Sequence, residues 1–134
     1  MNSFEVSARA MSAQLVRMNT IASNLANANT MSRTSEEAFK PMRANFKTVY
    51  DDVFKNSGRA TVDVTGIERE NKDAIRVYQP SHPLANAEGF VFRSPVDASE
   101  EMVEMMESSR AYQNNVEVLT TMRKLMSQTL NIGR

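Results

Sequence analysis

With 134 residues, 41% of them apolar and 24% charged, the chain is sized for one ordinary domain and has the composition of a soluble protein. Sixteen basic residues balance sixteen acidic ones, which removes the net positive field that would draw it to nucleic acid or an anionic membrane. The absence of cysteine excludes a disulfide framework, a thiolate zinc site and a cysteine nucleophile.

The start, Met1-Asn2-Ser3-Phe4-Glu5, lacks the basic opening and apolar run of a secretory signal. No later stretch is long enough to span a bilayer, so direct membrane insertion is not expected and any export is expected by another route. From there Phe4, Ala8, Met11, Leu15, Met18, Ala22 and Leu25 step by four and three, which predicts a helix over about 4–28 with a narrow apolar seam. Its back carries Val6, Ala10, Ala13, Thr20 and Asn24 where Lys and Glu would normally face water. Small uncharged residues all round a helix suit neighbours on several sides, and burial between subunits is the expectation.

Residues 39–54 are ambiguous, since Pro41 interrupts them while Phe46, Val49, Tyr50 and Val53 fit one helical face. From 60 to 93 the period changes to two. Val62 and Val64 alternate with Asp63 and Thr65, Ile75 and Val77 alternate after a polar loop, and the pattern predicts a small β-hairpin between them. The turn Pro80-Ser81-His82-Pro83 follows, and Gly89 precedes a third short strand, Phe90-Val91-Phe92.

A second long helix is predicted from about Ala98 to Asn131, opened by Asp97 three residues before Glu100 in the manner of a capping box. Its predicted seam is Met102, Met105, Tyr112, Val116, Leu119, Met122, Met126 and Leu130, with Gly133 as a C-terminal stop. Such a helix is roughly 50 Å long, whereas a compact domain of about 100 residues has a radius of gyration near 13 Å, so its own monomer cannot bury it. The expected fold is therefore mainly α with a small β element. Long N- and C-terminal helices form a coiled-coil hairpin, with a small antiparallel β segment between them. Residues 1–30 together with 97–134 make the assembly domain, and 31–96 a small β-containing insert.

Candidate chemistry is sparse. His82 between two prolines lacks the spaced partners of a metal site and reads as a turn residue. Glu100 and Glu104 share a helical face and would suit a hydrolytic carboxylate pair, but the acidic run Glu100–Glu107 is accounted for by the helix dipole. Met102, Met105 and Met106 read as adaptable packing. Asn24 and Asn27 have two readings, C-terminal fraying signals or buried residues that fix register between helices. No cofactor, metal or catalytic residue is expected.

The stretch Ala22-Ser23-Asn24-Leu25-Ala26-Asn27-Ala28-Asn29-Thr30 resembles the N-terminal signature of bacterial flagellar rod and hook proteins. Val77 to Val91, Glu101 to Met106 and Ser109 to Leu119 resemble the proximal rod proteins among them, while the Gly-Tyr that often follows the signature threonine is absent from residues 31–50. The resemblance implies a non-enzymatic structural subunit of the basal-body rod. Such a subunit is exported by the flagellar type III apparatus without a cleaved signal and polymerises across the periplasm into an axial tube that transmits torque and encloses the export channel. The implied partners are itself, FlgB, FlgF, FlgG, FliE and the export apparatus, with no nucleic acid. The expected subunit-interface residues are Met11, Leu15, Met18, Ala22, Asn24, Leu25 and Asn27 on the first helix, and Met102, Met105, Tyr112, Val116, Leu119, Met122 and Met126 on the second. A soluble helical adaptor or chaperone with a coiled-coil hairpin is the alternative reading, and an enzyme a distant third.

Overall fold

The computed structural model describes residues 3–50 and 60–132, so Val53 and Gly133 lie outside the described residues. A helix opens the chain (α1, Ser3–Ala26), followed by a two-residue strand (β1, Met31–Ser32) and two longer ones (β2, Met42–Tyr50; β3, Ala60–Arg69). Two short strands (β4, Ile75–Tyr78; β5, Phe90–Arg93) and a 35-residue helix (α2, Ala98–Ile132) complete it.

Both helices form where the apolar period and the caps place them. At the start of α2, the Ser99 and Glu100 amides donate to Asp97 Oδ1 at 2.8 and 3.3 Å, satisfying two of the donors a helix start leaves free. At the end of α1, Asn27 Nδ2 donates to the Ser23 carbonyl at 2.9 Å and the Thr30 hydroxyl to the Asn27 carbonyl at 2.8 Å. Asn27 is thus a C-terminal cap.

The strands pair differently from the sequence expectation. β3 forms an antiparallel ribbon with β2, setting Thr48 opposite Val62 and Phe46 opposite Val64. β4 pairs instead with β5, and β5 with β1, in a separate sheet of order β1-β5-β4. Ladder length accounts for the choice: β3 has ten residues, β4 offers four and β2 offers nine. The helical option for 42–50 fails for the same reason, because the β-branched and aromatic residues there supply the partner β3 lacks. One bulge interrupts the ribbon, where Asn45 pairs with Gly66 and Phe46 with Val64, leaving Thr65 unpaired.

Between β4 and β5, Gly89 has φ +82°, and a Cβ there would stand 3.0 Å from the Tyr78 ring and 3.1 Å from Pro80 Cβ. Only glycine closes this turn without strain. Phe90 meets Tyr78 edge to face at 5.2 Å, and the Arg76 guanidinium lies 3.6 Å from the Phe90 ring centroid. His82 works entirely within the turn, its N–H donating to Gln79 O and its Nδ1 accepting the Leu84 amide.

The buried centre lies where the C-terminal half of α1 meets the start of α2 and the two β layers. Ile21, Ala28, Ala38, Pro41, Val91 and Val96 are buried there, joined by Asn24, Ser94, Glu101 and Ser108. Ser94 extends the β1–β5 ladder by one residue, donating its amide to the Thr30 carbonyl at 3.1 Å. α1 is covered on two sides, by α2 and by the β2–β3 ribbon.

Candidate assembly surface

Two kinds of surface meet on the helix pair, a buried polar one that joins elements of this chain and an exposed apolar one that joins nothing within it. α1 buries Ser7, Ala13, Thr20, Ile21 and Asn24. On the small-residue back of the helix, Ala13, Thr20 and Asn24 are thus already buried within the chain, whereas Val6 and Ala10 are half-buried. The apolar seam read from the sequence turns partly outward: Phe4, Met11, Met18 and Leu25 are half-buried, while Ala8 and Ala22 are exposed and Leu15 is 44% exposed.

On α2 the inward stripe runs Glu101, Met105, Ser108, Tyr112, Asn115, Leu119, Met122, stepping by four and three. Met105, Tyr112, Leu119 and Met122 stand where the sequence reading put them. Met102 (58% exposed) and Val116 face outward, because Glu101 and Asn115 occupy the inward positions beside them, while Met126 and Leu130 (76% exposed) are left uncovered where the pair ends at the start of α1. Val103, Met106, Val118 and Leu125 add to the exposed apolar surface. Near the open end of the pair, an apolar groove of about 620 Å³ is lined by Ser3, Phe4, Met122, Leu125, Met126, Thr129 and Leu130.

The polar joint centres on Asn24. Its Nδ2 donates to the Met42 carbonyl at 2.9 Å and to Glu101 Oε2 at 3.1 Å, and its Oδ1 accepts the Met42 amide at 2.8 Å. Glu101, 1% exposed, accepts on its other oxygen from Arg43 at 2.5 Å. Arg43 Nε donates to Glu70 at 3.2 Å, Lys72 lies 3.0 Å from Glu70, and Arg17 lies 3.5 Å from Glu104. α1, β2, the segment after β3, and α2 are thus joined by one chain of hydrogen bonds.

Burial works to lower the Arg43 pKa, but the hydrogen bond and charge of Glu101, with the charges of Glu104 and Glu70, outweigh it and hold the guanidinium above its ordinary value. Burial likewise works to raise Glu70, and the Lys72 hydrogen bond with the Arg43 charge outweighs it, leaving this carboxyl below its ordinary value. Both shifts favour the charged forms the network uses. Asn24 thereby takes the buried role and Asn27 the capping one. Glu101 and Arg43 were missed from sequence because they sit among residues that read as a solvated, dipole-complementing run and an ambiguous strand.

The arrangement offers little to catalysis. Among the described residues no group of three or more His, Asp or Glu comes together to hold a metal ion, and no helix is long and apolar enough to cross a membrane. Two helices from the chain ends joined over a small β body, with apolar surface directed outward, define a subunit built for assembly.

Family models agree on the class: residues 4–31 match the flagella basal body rod protein family, and residues 87–132 match the C-terminal family of flagellar basal body rod FlgEFG proteins. The flagellar basal-body rod protein FlgC of Escherichia coli O6:H1 is 37% identical over 134 residues, covering 100% of this chain and 98% of the relative. The FlgC proteins of Salmonella typhimurium and Bacillus subtilis are 34% and 33% identical, with 98% and 97% of each relative covered. The chain belongs to the FlgC family of flagellar basal-body rod proteins. It is a structural subunit of the basal-body rod and not an enzyme.

Proposed function

We propose that the subunit builds the proximal rod through its terminal helices, which pair as a coiled-coil hairpin and form the inner layer of an axial tube that crosses the periplasm, transmits torque and encloses the export channel. Residues 1–30 with 97–134 act as the assembly unit, and 31–96 as a β-containing insert outside it. Met11, Met18, Leu25, Met105, Tyr112, Leu119 and Met122 serve the pairing within the hairpin. Leu15, Ala22, Met102, Val116 and Met126 present apolar surface to neighbouring subunits. Asn24 and Asn27 support these contacts from behind by holding the helix end in place. The partners are further copies of the chain and the rod proteins FlgB, FlgF, FlgG and FliE, with delivery by the type III export apparatus.

The observation that carries this reading is the uncovered apolar surface of α2, where Met102, Val103, Met106, Val116, Val118 and Leu125 are exposed and Met126 and Leu130 border an open groove at the end of the helix pair. Large apolar side chains left exposed in this number along one helix mark an interaction site. Truncation before Val116 removes the distal part of that surface and unpairs the first turns of α1. Cells carrying only the truncated protein are expected to lack rods in isolated basal bodies and to be non-motile; normal motility would refute the reading.

A further inference from the structure

Three residues on the inward stripe of α2 are polar, and they are used differently. Asn115 turns its amide back to the Ala111 carbonyl of its own helix, and the Ser108 hydroxyl has no partner among the described residues. Glu101 reaches across to Asn24 on α1 with one oxygen and to Arg43 on β2 with the other. The apolar members of the stripe include Met105 and Met122, unbranched side chains that repack readily, and α1 contributes the half-buried Met11 and Met18 of the same kind. Packing of this kind discriminates weakly between registers one helical turn apart.

Directional bonds discriminate strongly. A slip of one turn moves α2 by about 5.4 Å, taking Glu101 beyond the reach of Asn24 and Arg43 and setting Met105 against a polar pocket. Because Arg43 also bonds Glu70, the carboxylate that fixes the helices seats the ribbon as well. We propose that Glu101, held by Asn24 and Arg43, is the positioning residue that sets the register of α2 on α1 and the seat of the β2–β3 ribbon, so that neighbouring subunits meet the outer faces in a single arrangement.

The chain has no cysteine, so engineered cysteines at the exposed positions Ala26 and Glu107, both near the buried joint, can carry the only two spin labels on the full-length protein. The parent is expected to show one narrow interlabel distance. In Arg43→Met, a buried carboxylate loses its cation, and Tm is expected to fall by about 10 °C. In Arg43→Met/Glu101→Leu the buried charge is gone and most of that loss should return, but the interlabel distance should broaden or shift by about 5 Å and motility should stay lost.

A double variant with an unchanged narrow distance would overturn the proposal, as would one that regains both Tm and motility. Should the double variant not fold, Arg43→Lys decides. Lysine keeps the charge but cannot bond Glu101 and Glu70 from separate nitrogens of one planar fork. A shifted distance upholds the role and an unchanged one removes it. The inference rests on assembly through the terminal helices, but the distance is read on isolated protein and stands or falls independently of the truncation at Val116.

Discussion

Asn24 is saturated: both amide hydrogens donate and its oxygen accepts, and the residue is 0% exposed. Leucine has similar bulk but leaves the Met42 amide and carbonyl unpaired beside the buried Glu101. Each such group costs roughly 1–3 kcal/mol, so Asn24→Leu is expected to lose about 3 kcal/mol in denaturant unfolding as well as assembly. Aspartate tests the charge: it keeps the acceptor, removes both donors and sets a second carboxylate against Glu101. Asn24→Asp should therefore be at least as damaging as leucine at pH 7 and recover relative to wild type as the pH falls, because protonation relieves the like-charge contact. Equal losses at pH 7 and pH 4 would show that the repulsion is absent. A sequence reading reached Asn24 because a polar residue interrupts an apolar helix. It passed over Glu101, since a glutamate in the first turn of a helix is already accounted for by the dipole and only the tertiary partner distinguishes it from Glu100.

At the scale of elements, the helices were legible and the strand partners were not. Period and caps act over a few residues, so the limits of α1 and α2 follow from local sequence. Pairing is decided by competition between distant segments, and the short β4 could not meet the ten-residue ladder of β3. The α2 stripe shows the same limit in another form: a search for apolar residues at four-three spacing finds Met102 and Val116, one position away from the inward Glu101 and Asn115. The ribbon is braced partly through Glu70, which pairs with Arg43 on β2 and with Lys72 and whose folded-state pKa is depressed. A depressed carboxyl contributes stability that is complete above its unfolded value, about 4.3, and is lost as the pH falls through the lower folded value. Glu70→Gln is therefore expected to lower Tm at pH 7 by a few degrees, with the gap to wild type closing toward pH 3. The effect is small because the side chain is 31% exposed and its ion pairs are screened. A gap that persists at pH 3 would assign the loss to packing.

For the whole molecule, order should run from one end of the helix pair to the other. At the end where α1 finishes and α2 begins, Ile21, Asn24, Val91, Ser94, Val96 and Glu101 are buried, and hydrogen bonds through Asn24 and Glu101 join α1, α2 and β2. At the far end, α2 beyond Tyr112 has only Asn115, Leu119 and Met122 half-buried among its described side chains, and Leu125, Met126 and Leu130 border an open groove. A stretch of about twenty residues without tertiary burial is marginal as a helix in water, since the entropy of ordering it is not offset. In dilute monomer, hydrogen exchange should thus find strong protection at residues 20–25, 91 and 101–108, and rates near those of an open chain at 4–11 and 113–131. Assembly should slow exchange in the second set by at least about 100-fold while changing the first little, because neighbours supply apolar cover only where the monomer lacks it. Uniform protection of both helices in the dilute monomer would mean that the pair is complete on its own, and its outward apolar face would then need an explanation other than burial by neighbouring subunits.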